Sequence, residues 1–470
     1  MRRIGGKRGR RTVTVDALSA TSDAALAHDD DGAVVEVIGG VPGDRLDVTI
    51  VASGRARVHA ELQSVASPSI DRVDAPCPVV ATCSGCPWQS VGYDTQLDWK
   101  HRFVVEALRA YGLEPTCLTP VLPMDPPFRY RTKLQTPISG VAGALRSGLY
   151  RRRSHEVVTV DDCLVHDAHG EAARRGVLAL LDSHQVTPHD ELTGLGELRT
   201  LLLRVTGGAQ VAVVLIVADA GRRDWPALGA ALLAVPAVVS VSLNVNGERG
   251  NRVLGPTTVL LAGRPTLTER VGPVLMELEP TAFFQTSVRG AERLAQVVRS
   301  LLPAGVPLLL DLYAGAGFFA AALADRAERV LMVERDPAGA AACRALLQRL
   351  PCPAEVIEGD VAQLIAQQAR LPAGAAVVLD PPRAGLADSV AEVLVALAPT
   401  RVVLLSCHLE SGARDLARLV SEGLRLCSVT PVDLFPHTRH VELVSLLVPA
   451  DVGTPPPAPS PREHGAKGAG

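Results

Sequence analysis

The stretch Pro307–Gly317, PLLLDLYAGAG, decides the fold. An apolar run of strand character ends in Asp311, a glycine pair follows at Gly315 and Gly317, and the next residues open a helix. Glycines at the carboxyl end of a strand let a ligand approach the backbone. The next apolar run, RVLMVE, ends in Glu334, 19 residues after Gly315, where an acid can accept hydrogen bonds from ribose hydroxyls. By itself a G-x-G is also compatible with a plain strand-to-helix turn. Strand, turn, helix, strand and acid together point to a nucleoside site. One glycine pair, without the third glycine of the dinucleotide fingerprint, favours S-adenosylmethionine over NAD.

Outward from this stretch, AEVIEGD, AAVVLDPP and RVVLLSC continue the alternation of buried strand and helical pattern. Pro280–Ala450 is therefore predicted to be an α/β domain with a doubly wound, Rossmann-like parallel sheet. HVELVSLLV, with no helix after it, reads as an added strand. Asp380 stands at a strand end before two prolines that fix the loop. Cys407 ends the following strand and Glu442 lies on the last one, so all three can gather at the carboxyl edge of one sheet.

The chain has 470 residues, enough for several domains. No apolar run reaches the ~18 residues of a membrane span, and the arginine-rich start lacks the apolar core of a secretory signal. A cytoplasmic, monomeric protein with no membrane partner is expected. Thr12–Ser67 is built of short β-branched runs between turn residues and reads as an OB-type β-barrel. It carries nine acids against three arginines and has no aromatic residue. Pro68–Glu279 reads as a central α+β domain with a helix over Tyr93–Tyr111. Met1–Arg11, with six basic residues and no acid, reads as a basic arm, and the Pro-rich Asp451–Gly470 as a disordered tail.

Nine cysteines in such a chain suit metal ligands, catalytic thiols or core positions better than disulfides. Cys77, Cys83 and Cys86 give C-x5-C-x2-C, with Cys163 far downstream. Four thiolates can hold a 4Fe–4S cluster or a zinc ion, and spacing alone does not separate them. Phe128–Arg153 holds Arg129, Arg131, Lys133, Arg146, Arg151, Arg152 and Arg153 without an acid, interleaved with Phe128, Tyr130 and Tyr150. Cations for phosphates and rings for bases suit RNA. Aromatics are only 3% of the chain, and all but Trp225 lie from Trp88 to Tyr150 or beside the C-terminal motifs, where a base or cofactor would need a partner.

FFQTS, DLYAGAGFF, DPPRAGL, LLSC and DLFPHTRHVELVSLL occur in the order of the RNA 5-methyluridine methyltransferase signatures. The chain resembles that family from about Val13 to Leu447. The resemblance implies an S-adenosylmethionine-dependent RNA uracil-C5 methyltransferase, with Cys407 as nucleophile and Glu442 as base. It implies that Asp380 holds the target base or the cofactor, and that Gln285, Tyr313, Gly315, Gly317, Phe318, Glu334 and Asp360 contact S-adenosylmethionine. CSGCPWQSVGYDTQLDWK is similar to the family's iron–sulfur segment, which favours 4Fe–4S over zinc for Cys77, Cys83, Cys86 and Cys163. The barrel resembles a TRAM domain. Members with both barrel and cluster imply large-subunit (23S) ribosomal RNA as the substrate, with transfer RNA as the alternative. A noncatalytic RNA-binding or assembly protein that retains the fold is the rival from another class. His408-Leu409 replaces the usual Asn-Pro after the nucleophile, Ser287 an Asn, Thr132 an Asn, and Phe318 a polar residue.

Overall fold

The computed structural model describes residues 9–28, 32–53, 57–221, 223–366 and 371–450. Most of the basic arm and the whole Pro-rich tail lie outside the described residues.

Strands β1 (Arg10–Leu18), β2 (Ala25–His28), β3 (Val34–Val37), β4 (Arg45–Ser53) and β5 (Val58–Ser67) close into a barrel with order β1-β2-β3-β5-β4. Alternating side chains fill it: Val13, Val15, Val35, Val37, Leu46 and Val48 are at most 2% exposed. The closed five-strand sheet agrees with the reading of Thr12–Ser67 as a small barrel. The short β2 falls in a segment whose sequence gave no strand signal. Trp88, Val91 and Phe103, from outside the barrel, pack against its core.

Helix α1 (Tyr93–Ala110) buries Gln96, Lys100, Phe103, Val104 and Leu108, a face repeating at three- and four-residue intervals. Strands β6 (Lys133–Val141), β7 (Ala144–Tyr150) and β8 (Val157–Thr159) precede helix α2 (Ala168–Ser183). Strands β9 (Leu198–Val205) and β10 (Val211–Val217), helix α3 (Trp225–Leu232), and strands β11 (Val238–Val245) and β12 (Thr257–Gly263) follow. The strands form one sheet of seven, ordered β12-β11-β10-β9-β6-β7-β8. β13 (Leu267–Val271) and β14 (Val274–Leu278) make a separate hairpin.

The remaining elements are α4 (Val288–Leu301), β15 (Leu309–Leu312), α5 (Phe318–Leu323), β16 (Val330–Glu334), α6 (Pro337–Leu346) and β17 (Ala354–Glu358), then α7 (Val361–Ala366), β18 (Ala376–Leu379), α8 (Asp388–Ala396), β19 (Arg401–Ser406), α9 (Leu409–Ser421), β20 (Leu424–Val432) and β21 (Glu442–Pro449). Their strands make a second sheet of seven, ordered β17-β16-β15-β18-β19-β21-β20. β15 to β19 run parallel, and β15 and β18 at the centre are buried on both faces, from Leu309 to Leu312 and from Ala376 to Leu379. β21 is not an edge addition. It enters between β19 and β20, antiparallel to both, and β20 itself was not anticipated as a strand. Order reverses between β15 and β18, the switch point at which ligands bind in such sheets.

Candidate active site at the carboxyl edge of the sheet

The loop after β15 is shaped for close approach. Tyr313 adopts φ 61°, Gly315 φ 56° and Gly317 φ 81°. A Cβ on Gly317 would fall 2.5 Å from Leu346 Cδ1, so glycine is required there on two counts. Gly339, at the start of α6, is equally confined: a Cβ would meet the Gly315 carbonyl oxygen at 2.8 Å. Glu334 receives the Gly315 N–H at 2.7 Å and the Asp336 N–H at 2.6 Å. These bonds fix the carboxylate at the loop while leaving acceptor capacity on both oxygens. The buried Cys343 thiol donates to the Gly315 carbonyl at 3.3 Å and completes the cradle.

Asp311 is fully buried. One carboxyl oxygen takes the Ala320 N–H at 2.8 Å and the other has no partner. Burial pushes its pKa up to about 8. Tyr313 is half-buried, and burial, with the Asp360 and Asp415 carboxylates nearby, moves its hydroxyl up to about 12. Asp360 caps α7 by accepting the Ala362 N–H at 3.0 Å. Phe283 stands 68% exposed at the mouth of this loop. Phe318, expected to touch a cofactor, is instead packed in the core, edge-on to Phe284 at 5.6 Å.

Asp380 and Cys407 follow the carboxyl ends of the adjacent parallel strands β18 and β19. Ser406 pairs with Leu443, which sets Glu442, the first residue of β21, beside Cys407. The Gln285 side-chain amide donates to Asp380 at 3.4 Å. Glu442 is 4% exposed. Burial, then repulsion from Asp380, holds its carboxyl well above the usual range. Burial lifts Asp380 too. The Cys407 thiol is pushed up to about 11 by burial and by the Glu442 and Asp380 carboxylates, with Arg383 opposing. His408 caps α9 through its side chain, accepting the Ser411 N–H at 3.5 Å. This edge thus brings together a thiol and two carboxyls that resist ionisation, beside an acid-rich, glycine-lined loop.

Cys77, Cys83, Cys86 and Cys163 line one small pocket together with Leu149 and Val165. Burial, opposed by a hydrogen bond with Gln89 and aided by the other three thiols, lifts the Cys86 thiol to about 12. Among the described residues, no group of three or more His, Cys, Asp or Glu side chains closes around a single ion.

The basic stretch is less free than its composition implies. Arg129 pairs with Asp162 at 2.5 and 2.8 Å and also donates to the Cys163 carbonyl at 2.9 Å. Arg151 pairs with Glu156 and Arg152 donates to the Cys83 carbonyl. Lys133 is half-buried, its pKa lowered to about 8 by burial and by Arg204 and Arg131. Arg131, Arg146 and Arg153 are exposed. Tyr130 is buried with its hydroxyl donating to the Pro436 carbonyl at 3.3 Å, and Phe128 stacks on His437 at 4.4 Å. Most of the scarce aromatics therefore serve packing, which corrects the expectation that they await a base or cofactor.

β21 alone runs against the other six strands of this sheet. A family model described as "Conserved hypothetical protein 95" matches residues 300–412. An uncharacterised RNA methyltransferase of Thermosynechococcus vestitus is 34% identical over 93% of this chain and 97% of its own length. One from Gloeobacter violaceus is 34% identical over 93% and 96%. The chain belongs to this RNA methyltransferase family. The fold is similar to that of Pyrococcus abyssi tRNA (uracil-54, C5)-methyltransferase in complex with S-adenosyl-L-homocysteine. The TM-score is 0.75 at 24% identity, covering 93% of this chain and 99% of that one. No helix among the described residues is long and apolar enough to cross a membrane.

Proposed function

We propose that the chain transfers a methyl group from S-adenosylmethionine to C5 of a uridine in RNA, through a covalent bond between Cys407 and C6. The observation that carries this is the meeting of Cys407, Glu442 and Asp380 at the edge where β18, β19 and β21 converge. C5 of uracil is a weak nucleophile. The Cys407 thiol loses its proton to water as its sulfur adds to C6, the ring electrons move toward C5 and the C4 oxygen, and C5 can then take the methyl group from its sulfonium sulfur, which leaves as a neutral thioether. Glu442 accepts the proton left on C5, the C5–C6 double bond re-forms, and the Cys407 sulfur leaves. Asp380, held by Gln285, orients the base. The target uridine must leave any stacked structure to reach this buried edge.

S-adenosylmethionine supplies a methyl group on a positively charged sulfur. Glu334 and Asp360 are the carboxyls of the cleft suited to that cation, and the buried Asp311 has an oxygen without a partner. Gln285, Tyr313, Gly315, Gly317, Glu334 and Asp360 would hold it. Cys77, Cys83, Cys86 and Cys163 would hold a 4Fe–4S cluster with a structural role. The support for this reading is that the four thiols line one pocket. Arg131, Arg146 and Arg153 are the exposed cations of the basic stretch that would face phosphates, and the barrel is the TRAM-like element.

Large-subunit ribosomal RNA is the substrate we put first. Transfer RNA is the second reading, favoured by the fold neighbour that acts on uracil-54 of tRNA. The deciding experiment compares 5-methyluridine in ribosomal and transfer RNA from a strain lacking this gene. A deficit in one species assigns the substrate, and no deficit in either counts against the reaction.

A further inference from the structure

Glu442 opens β21 in the pair that closes a hairpin, Val432 opposite Glu442, so residues 433–441 form its loop. That loop is gripped by distant segments of the chain. From α1, Lys100 donates to Asp433 at 2.6 Å and to the Phe435 carbonyl at 3.0 Å, and Tyr93 donates to Asp433 at 3.0 Å. Tyr130 donates to the Pro436 carbonyl. The Trp88 N–H, two residues after Cys86, donates to the His437 carbonyl at 3.0 Å. From the barrel, the Ala20 carbonyl accepts from Arg439 at 3.0 Å.

Gln96 is the node of this grip. It is fully buried. Its carbonyl takes the His437 N–H at 2.8 Å, and its amide nitrogen lies 2.9 Å from the Val91 carbonyl, 3.1 Å from the Trp88 carbonyl and 3.2 Å from His437 Nδ1. Four interactions thus tie one side chain to both the cysteine segment and the loop. His437 is held at φ 66°, a left-handed conformation that a non-glycine residue adopts only when its surroundings impose it. A buried carboxyl at the end of a strand gains by swinging toward water. Without an imposed loop, the closing pair that holds Glu442 is the first to open.

We propose that Gln96 is a positioning residue for Glu442: by fixing His437 and the 433–441 loop, it keeps the carboxyl against C5 of the bound uracil. The inference rests on Glu442 as the base that acts after the sulfur has added. It therefore predicts a split within the catalytic cycle. In Gln96→Leu, adduct formation between Cys407 and the RNA proceeds within about threefold of the parent rate. Release of 5-methyluridine slows about 100-fold, the scale of a misplacement near 1 Å.

The test is single-turnover reaction of the full-length protein with a uridine-containing RNA substrate, following the denaturation-stable protein–RNA adduct and the methylated product separately. Glu442→Gln is run alongside. Accumulation of adduct in both variants supports the proposal. Accumulation in Glu442→Gln alone overturns the role of Gln96. Accumulation in neither overturns the role of Glu442 itself. Gln96→Glu preserves the carbonyl that receives the His437 N–H and should release product faster than Gln96→Leu. Equal slowing of adduct formation and release in both Gln96 variants would mark a merely structural role and overturn the proposal.

Discussion

The Lys100–Asp433 pair permits a quantitative prediction. Both side chains are fully buried, with Nζ 2.6 Å from the carboxylate. Burial lowers the lysine pKa, and the adjacent Asp433 carboxylate opposes that shift. Lys100→Met removes the cation and leaves Asp433 with only the Tyr93 hydroxyl and the Phe435 N–H. Deleting one partner of a buried pair costs about 3–5 kcal/mol, because the other charge is left uncompensated. For a cooperative unit of roughly 150–250 residues this corresponds to a fall of about 6–20 °C in Tm. Asp433→Leu strands the ammonium and should cost a similar amount. The double variant removes both charges and should recover most of the loss, giving a coupling of about 2 kcal/mol or more. Calorimetric melts of the four proteins at one pH and salt concentration measure the cycle. Additive losses, or single variants within about 1 kcal/mol of the parent, would refute the view that this pair joins α1 to the catalytic loop through a desolvated charge contact.

Cys407→Ala should abolish methylation in a tritium-transfer assay, and Glu442→Gln should reduce product release by about 10²–10⁴-fold, the usual contribution of a general base. Because burial and two carboxylates raise the Cys407 thiol to about 11, its alkylation by iodoacetamide, followed by peptide mass spectrometry, should climb through pH 9–11. A plateau by pH 9 would contradict that environment. Asp311 favours its neutral form in the fold, at about 8 against about 3.9 when unfolded, so the folded state binds the extra proton. Its contribution is greatest below pH 4 and is lost as pH rises toward 8. Asp311→Asn should therefore gain stability relative to the parent across that window, by a few kcal/mol at the upper end. Denaturant midpoints at pH 5 and pH 8 check the sign.

The methyltransferase sheet was legible because its central parallel strands are continuous apolar runs, and the Asp311–Gly317 turn has few other uses. Cys407 and Asp380 were legible for the same reason: they close such runs. The rest was hidden where long-range contact decides. β20 mixes Arg425, Cys427 and Thr430 into its pattern, and only its pairing with β21 makes it a strand. Lys100 and Gln96 look like polar residues on a helix surface, and their burial depends on a loop more than 300 residues away. Arg129 reads as a phosphate ligand until Asp162 is brought alongside it. Asp311 reads as an ordinary turn acid, and Cys343 has no local signal at all, yet both shape the glycine loop.

The insertion of β21 between β19 and β20 also constrains when the protein can work. During synthesis β19 and β20 emerge before their shared neighbour, so the nascent sheet has a vacancy in its middle and lacks residue 442. The edge that gathers thiol and carboxyls is completed only when this late segment pairs with β19 and β20. Partly made or unfinished chains can therefore own a complete glycine loop and Cys407 and still lack Glu442, the base of the proposed cycle. Competence arrives with the closing of the sheet, which ties quality control of the fold to the onset of chemistry.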